Sequence, residues 1–151
     1  MAKELPVAKK IDAVIYVEPI GKGRPRLKGL RDGRVIAYTP AKTRATEALI
    51  QATIRGVVME KGRFPDDMPL KMDLVLYRLR PKSLPKKVKI PVTKPDWDNG
   101  GKLVSDALEK FIYRNDSQIT DARVRKRFGG PPRIEITLEE DTGDAPEELH
   151  D

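Results

Sequence analysis

The 151-residue chain contains no cysteine, which excludes disulfides and thiolate metal sites. It has a single histidine, His150, next to the C-terminal residue. That argues against histidine-based acid–base chemistry and against a multi-histidine zinc site. No apolar run approaches the roughly 20 residues needed for a membrane span. Residues 1–6 lack the apolar core of a secretory signal. These absences point to a cytoplasmic protein with no membrane association. Any active site must be built from carboxylates, lysine, arginine, hydroxyls and bound metal.

Acidic residues are scarce over most of the chain. Arg133 is the last basic residue, and eight of the 23 acidic residues lie beyond it. Residues 1–133 therefore carry 30 basic against 15 acidic side chains, a net +15, well above the +7 of the whole chain. A charge of that size, gathered in clusters, is an electrostatic footprint for nucleic acid.

The length suits one domain with a sizeable core. Residues 1–10 read as a flexible basic arm, 11–138 as the folded domain and 139–151 as an acidic, disordered, solubilising tail. Strands are expected over 11–18, 34–38, 70–77, 117–128 and 133–138 from their alternating apolar residues. Residues 21–33 read as a glycine-punctuated basic loop. Thr39-Pro40 signals a helix start, with Thr39 as N-cap. That helix should run to about Met59 with Ala45, Ala48, Leu49, Ala52 and Val57 inward. Residues 78–94, broken by Pro81, Pro85 and Pro91, read as a loop or partly mobile flap. A second helix is expected from Asp98 to Ile112, burying Leu103, Val104, Ala107, Leu108, Phe111 and Ile112. The order β-β-α-β-α-β-β predicts an α/β fold: a single-domain mixed β-sheet with two helices packed on it.

Within this basic chain, Lys94-Pro95-Asp96-Trp97-Asp98-Asn99-Gly100-Gly101-Lys102 places two carboxylates at the mouth of the second helix. Asp106 and Asp116 follow. Carboxylates repel a polyanion unless a divalent cation neutralises them, and such a cation suggests phosphodiester chemistry. Taken singly, Asp98 is an ordinary N-cap and Asp96 a turn residue. Together with Lys102 and Asp106, four and eight positions on from Asp98, they can share one helix face. Asp116, where the helix hands over to the next strand, can return beside them. Lys102 can orient an attacking water, stabilise developing charge, or form a plain i,i+4 salt bridge.

Lys94-Pro95-Asp96-Trp97-Asp98-Asn99, then Lys102, Asp106-Ala107-Leu108, Tyr113 and Asn115-Asp116-Ser117-Gln118-Ile119, resemble the motif of the RusA-type Holliday junction resolvases. Gly21-Lys22-Gly23-Arg24-Pro25-Arg26 and the closing strands extend the resemblance over residues 11–138. It implies a homodimeric, metal-dependent endodeoxyribonuclease of bacterial, prophage or phage origin. Such an enzyme nicks four-way DNA junctions in recombination and repair, using Mg²⁺, with Mn²⁺ as a possible substitute, and no organic cofactor. By resemblance, Asp96, Asp98 and Asp116 hold the metal, Lys102 is the catalytic lysine, and Asn99 and Asp106 support the site. The chain departs from the pattern at Asn115, where an aspartate is usual, and at Gly100, where a large apolar residue is usual.

Three basic groups are candidate DNA contacts. Lys22, Arg24 and Arg26 lie in the first loop, and Lys86, Lys87, Lys89 and Lys94 in the flap. Arg123, Arg125 and Arg127 alternate along one face of a strand, a phosphate track if beside the carboxylates. Trp97 is expected in the core, with stacking on an unpaired base as the alternative; Phe111 and Tyr113 are expected in the core. The alternatives to a junction resolvase are a non-catalytic junction- or duplex-binding protein and a nuclease acting on flaps, forks or RNA.

Overall fold

A computed structural model describes residues 5–144; the first four residues, the last seven and His150 among them lie outside it. Three stretches alternate buried apolar with more exposed residues and lie side by side in one sheet. They are β1 (Lys10–Ile15), β4 (Leu70–Arg78) and β6 (Arg133–Glu140). With β5 (Ile119–Phe128), the sheet order is β1-β6-β4-β5. β6 pairs antiparallel with both β1 and β4, whereas β4 and β5 run parallel. Helices α1 (Ala41–Lys61) and α2 (Trp97–Leu108) cover one face. Ile11, Ile15, Leu70, Leu74, Leu76, Ile134, Ile136 and Leu138 form the sheet side of the core, and Ile50, Ile54, Leu103, Val104 and Leu108 the helix side. This is the predicted mixed sheet with two helices.

The differences from the sequence expectations have physical causes. Residues 26–29 and 35–38 form a hairpin, β2 (Arg26–Gly29) and β3 (Val35–Tyr38), within what reads as a loop plus one short strand. Its signal was Asp32-Gly33, a turn pair: Gly33 takes a positive φ of 87° and Asp32 accepts a hydrogen bond from the Arg34 amide. The hairpin was missed because it stands off the core with every residue exposed.

Helix α1 starts one residue late, with Pro40 rather than Thr39 at its N-cap and no side-chain cap. Its buried stripe is Thr43, Thr46, Ile50, Ile54 and Val58. Ala45, Ala48, Leu49 and Ala52 are exposed, and Val57 is half-buried. Turning the two isoleucines inward removes more apolar surface from water than turning the alanines inward, and the two threonines disguised the period.

Helix α2 ends at Leu108, so Phe111 and Ile112 lie in the following turn, Phe111 half-buried and Ile112 fully buried. A short 3-10 turn, Asp116–Gln118, precedes β5. The first and last segments are more ordered than expected wherever they are described. Ala8 is buried, Val7 pairs with Arg63, and β6 continues through Glu140. The expected arm at 1–4 and tail at 145–151 lie outside the described residues.

The flap is folded around one guanidinium. Turns close at Pro81–Leu84 and Pro85–Val88. Arg80 donates to the carbonyls of Pro85 (2.7 Å) and Val88 and stacks over Phe128 at 5.4 Å. Lys126 anchors the far end through the Thr93 carbonyl at 2.7 Å.

Gly100 is explained by packing. A Cβ there would stand 2.6 Å from Leu76 Cδ1, inside the core, whereas one at Gly101 would meet Val124 at 3.3 Å. Close seating of α2 on β4 therefore requires the missing side chain. Gly100→Leu, the change toward the usual residue, should destabilise the protein by about 1–3 kcal/mol through overpacking. A fall in the denaturant midpoint on chemical unfolding checks this.

Candidate active site

The parallel pairing of β4 and β5 requires the chain to cross the sheet between them. The flap and α2 make that crossing. Helix α2 buries Gly100, Gly101, Leu103, Val104, Ala107 and Leu108, which leaves Asp98, Lys102 and Asp106 on its outer side. Asp96 is the N-cap residue but forms no side-chain cap, and Asp98 sits in the first turn. The expected capping by Asp98 is therefore corrected. Its carboxylate still benefits from the helix N-terminus. Trp97, expected in the core, is 65% exposed at the first helical position. Its neighbours Gly100 and Gly101 take the inward places.

The exit from α2 is held by Tyr113, which is fully buried and donates from its hydroxyl to the Ser105 carbonyl at 2.6 Å. Burial, reinforced by the charges of Asp116, Glu109 and Asp106, raises its pKa well above the usual tyrosine value. Asn115 then caps the 3-10 turn. Its Oδ1 accepts from the Ser117 amide at 2.9 Å, while Gln118 Oε1 accepts from the Asn115 amide at 3.1 Å. Asparagine caps as well as aspartate does, so the departure at position 115 keeps the turn that presents Asp116.

Lys102 and Asp116, from separate segments, meet at 3.2 Å, and Lys102 also pairs with Asp106 at 3.1 Å. Hydrogen bonds to Asp106 and Asp116 raise the Lys102 pKa above its ordinary value. Lys22 arrives from the loop after β1 and hydrogen-bonds the other Asp106 oxygen. Burial alone would raise the Asp106 pKa, but the hydrogen bonds from Lys22 and Lys102 outweigh it and hold it below the usual carboxylate range.

Glu109, which the sequence reading did not single out, joins Asp106 and Asp116 in a set whose carboxylate oxygens lie within 4.8 Å of one another. Asp96 and Asp98 fall outside that set. They are exposed and make no ion pair or side-chain hydrogen bond among the described residues. Asn99 contributes its carbonyl to the Lys22 amide at 3.1 Å.

A groove of about 380 Å³ opens beside Asp96 and Asn99, lined also by Lys22, Lys42, Arg78 and Lys94. Lys42 is a cation the sequence reading passed over, and Arg78 is one it placed at the start of the basic flap without assigning it to the site. Their place beside the motif depends on a fold-level approach with no local signal.

Arg24, Arg26, Lys86, Lys87, Lys89 and Lys94 are exposed. Arg123, Arg125 and Arg127 lie in register with Asp73, Val75 and Tyr77, on the face of the sheet opposite the helices. There they line a groove of about 770 Å³, and Arg125 is paired with Asp73 at 2.9 Å. This groove is thus on the side of the sheet away from Asp116 and Lys102, and the arginines are not brought beside those two residues.

Fold and site together define a class: a small α/β protein whose crossover helix displays carboxylates and a lysine amid basic surface. The chain belongs to the family described as Endodeoxyribonuclease RusA, whose model matches residues 17–139. A relative from Bacillus subtilis (strain 168), the "Uncharacterized protein YqaN", is 37% identical over 143 residues, covering 86% of this chain and 96% of its own length. Among the described residues, no helix is long and apolar enough to cross a membrane.

The low pKa of Asp106 ties stability to pH. Its carboxylate stabilises the fold above the unfolded value of about 3.9, and that contribution is lost as pH falls through the lower folded value. Asp106→Asn should therefore melt a few degrees below wild type at pH 7. In melts recorded at successively lower pH, the gap should close below about pH 4.

Proposed function

We propose that the chain is a metal-dependent, structure-selective endonuclease that resolves four-way (Holliday) DNA junctions by paired nicks. The observation that carries this reading is Lys102, held by Asp106 and Asp116 on the outer side of the crossover helix, within the span matched by the nuclease family.

The donor set suits a hard divalent cation such as Mg²⁺, with Mn²⁺ as substitute. It is all oxygen, and Asp96 and Asp98 stand free of lysine partners among the described residues. Asp96, Asp98 and Asp116 would hold the ion. Bound there, a divalent cation supplies an acidified water and charge neutralisation at the phosphate.

The chain's own groups do the remainder. Lys102, with its pKa raised, stays protonated at neutral pH. It therefore acts as a fixed positive charge for the negative charge that develops on the phosphate, not as a general base. Asp106 orients Lys102, and the α2 N-terminus adds favourable backbone dipoles. Arg24, Arg26, Lys86, Lys87, Lys89 and Lys94 attract the DNA backbone. Arg123, Arg125 and Arg127, on the far face, would meet DNA that wraps the sheet. Two copies about a two-fold axis would address opposing strands and release two duplexes. The setting is the cytoplasm of a bacterium or of a phage-infected cell, in recombination and repair.

Nicking of a labelled four-way junction, with and without Mg²⁺, tests the reading. Wild type should give paired symmetric cuts only with the metal. Asp96→Asn and Asp98→Asn should each lose on the order of a hundredfold or more in rate while still binding the junction. A wild-type protein that binds junctions but leaves them intact in Mg²⁺ and Mn²⁺ is instead a binding protein. Faster cutting of flaps, forks or RNA would move the substrate to those structures.

A further inference from the structure

We infer that Lys22 is a positioning residue of the catalytic lysine, held in place by a glycine-flanked clamp between the two helices. The inference rests on the nuclease reading for its catalytic meaning, while the clamp itself is independent of it.

Lys22 belongs to a basic loop whose other cations face solvent, yet its ammonium turns inward. It hydrogen-bonds Asp106 Oδ2 and lies 3.6 Å from Glu47 Oε1, with its side chain 33% exposed. The Glu47 oxygen is buried and has no hydrogen-bond partner among the described residues. Lys22 is the cation that compensates it, so withdrawing Lys22 to a DNA phosphate would leave two part-buried carboxylates short of charge.

The loop is built to prevent that withdrawal. The Lys22 amide donates to the Asn99 carbonyl at 3.1 Å, and the Gly23 amide donates to Thr43 Oγ1 at 3.1 Å. The tripeptide is thus strung between the start of α2 and the start of α1. The glycines on either side let the loop come close to both helix starts. A Cβ on Gly21 would stand 3.0 Å from Asn99 Cβ, and one on Gly23 would stand 2.8 Å from Thr43 Oγ1 and 2.9 Å from Pro40 Cγ. Neither glycine has a positive φ, so close approach is the reason for both.

The consequence is a chain of alternating charge: Glu47, Lys22, Asp106, Lys102, Asp116. Lys22 occupies one Asp106 oxygen, and Lys102 is shared between the other and Asp116. Without Lys22, both oxygens and a full unbalanced charge compete for Lys102 and draw it from Asp116, where the reacting phosphate is to sit. Lys22 therefore acts through Asp106, touching neither substrate nor metal.

Lys22→Met and Lys22→Arg, combined with Asp106→Asn, test this. Lys22→Met should lower kcat for junction nicking by about tenfold or more, leave KM and junction affinity in Ca²⁺ within about twofold, and be partly rescued in Lys22→Arg. In the Asp106→Asn background, Lys22→Met should add less than about twofold. Tenfold weaker junction binding with normal turnover at saturation would overturn the inference and make Lys22 a DNA contact. So would rate losses that simply multiply.

The same cycle read by thermal unfolding needs no activity. Coupled melting shifts support the clamp, and additive shifts overturn it, even if wild type nicks no junction. If Lys22→Met does not fold, Lys22→Gln takes its place in both readouts.

Discussion

The site depends on one pairing, the parallel contact of β4 and β5. Antiparallel neighbours can be joined by a tight turn, but parallel ones need a crossing over the sheet. Here that crossing is α2, and its close seating at Gly100 and Gly101 against Leu76 and Val124 fixes the helix rotation. Once the apolar side is committed to the core, Asp98, Lys102 and Asp106 have only the outer side left. The return into β5 then has to pass the end of the same helix, which delivers Asp116 to Lys102. The chemistry-bearing residues are brought together by topology, across a turn stabilised by Tyr113 and Asn115.

A chain this basic does not present all of its cations to a polyanion. Arg80 organises the flap from within, Arg125 answers Asp73, and Lys22 and Lys102 balance the carboxylates of the site. The exposed lysines and arginines of the hairpin and flap make the outward-facing charge. Net charge thus overstates the binding surface, because part of it is spent on internal neutrality.

Features encoded by short-range periodicity were legible in the sequence. The alternation in β1, β4 and β6 specified both strand and buried face, and the carboxylate motif with Asp116 pointed to the family. Features that depend on a remote partner were not. Lys22 reads as one more cation in a basic loop until the fold sets it against Asp106, 84 positions away. Gly100 reads only as a departure from the family pattern until Leu76 is seen beneath it. The α1 stripe was hidden because threonines occupy two of its inward positions. Trp97 was expected inside, but the places facing the sheet are taken by Gly100 and Gly101, close against Leu76 and Val124.

The exposed Trp97 gives the protein one further property. It is the sole tryptophan of the chain, and it stands between Asp96 and Asp98. Selectively excited indole emission therefore comes from one place, the entrance to the candidate site. A cation settling on the flanking carboxylates, or a base stacking on the ring, changes the surroundings of that single emitter. The molecule carries its own optical reporter of occupancy, with no label added.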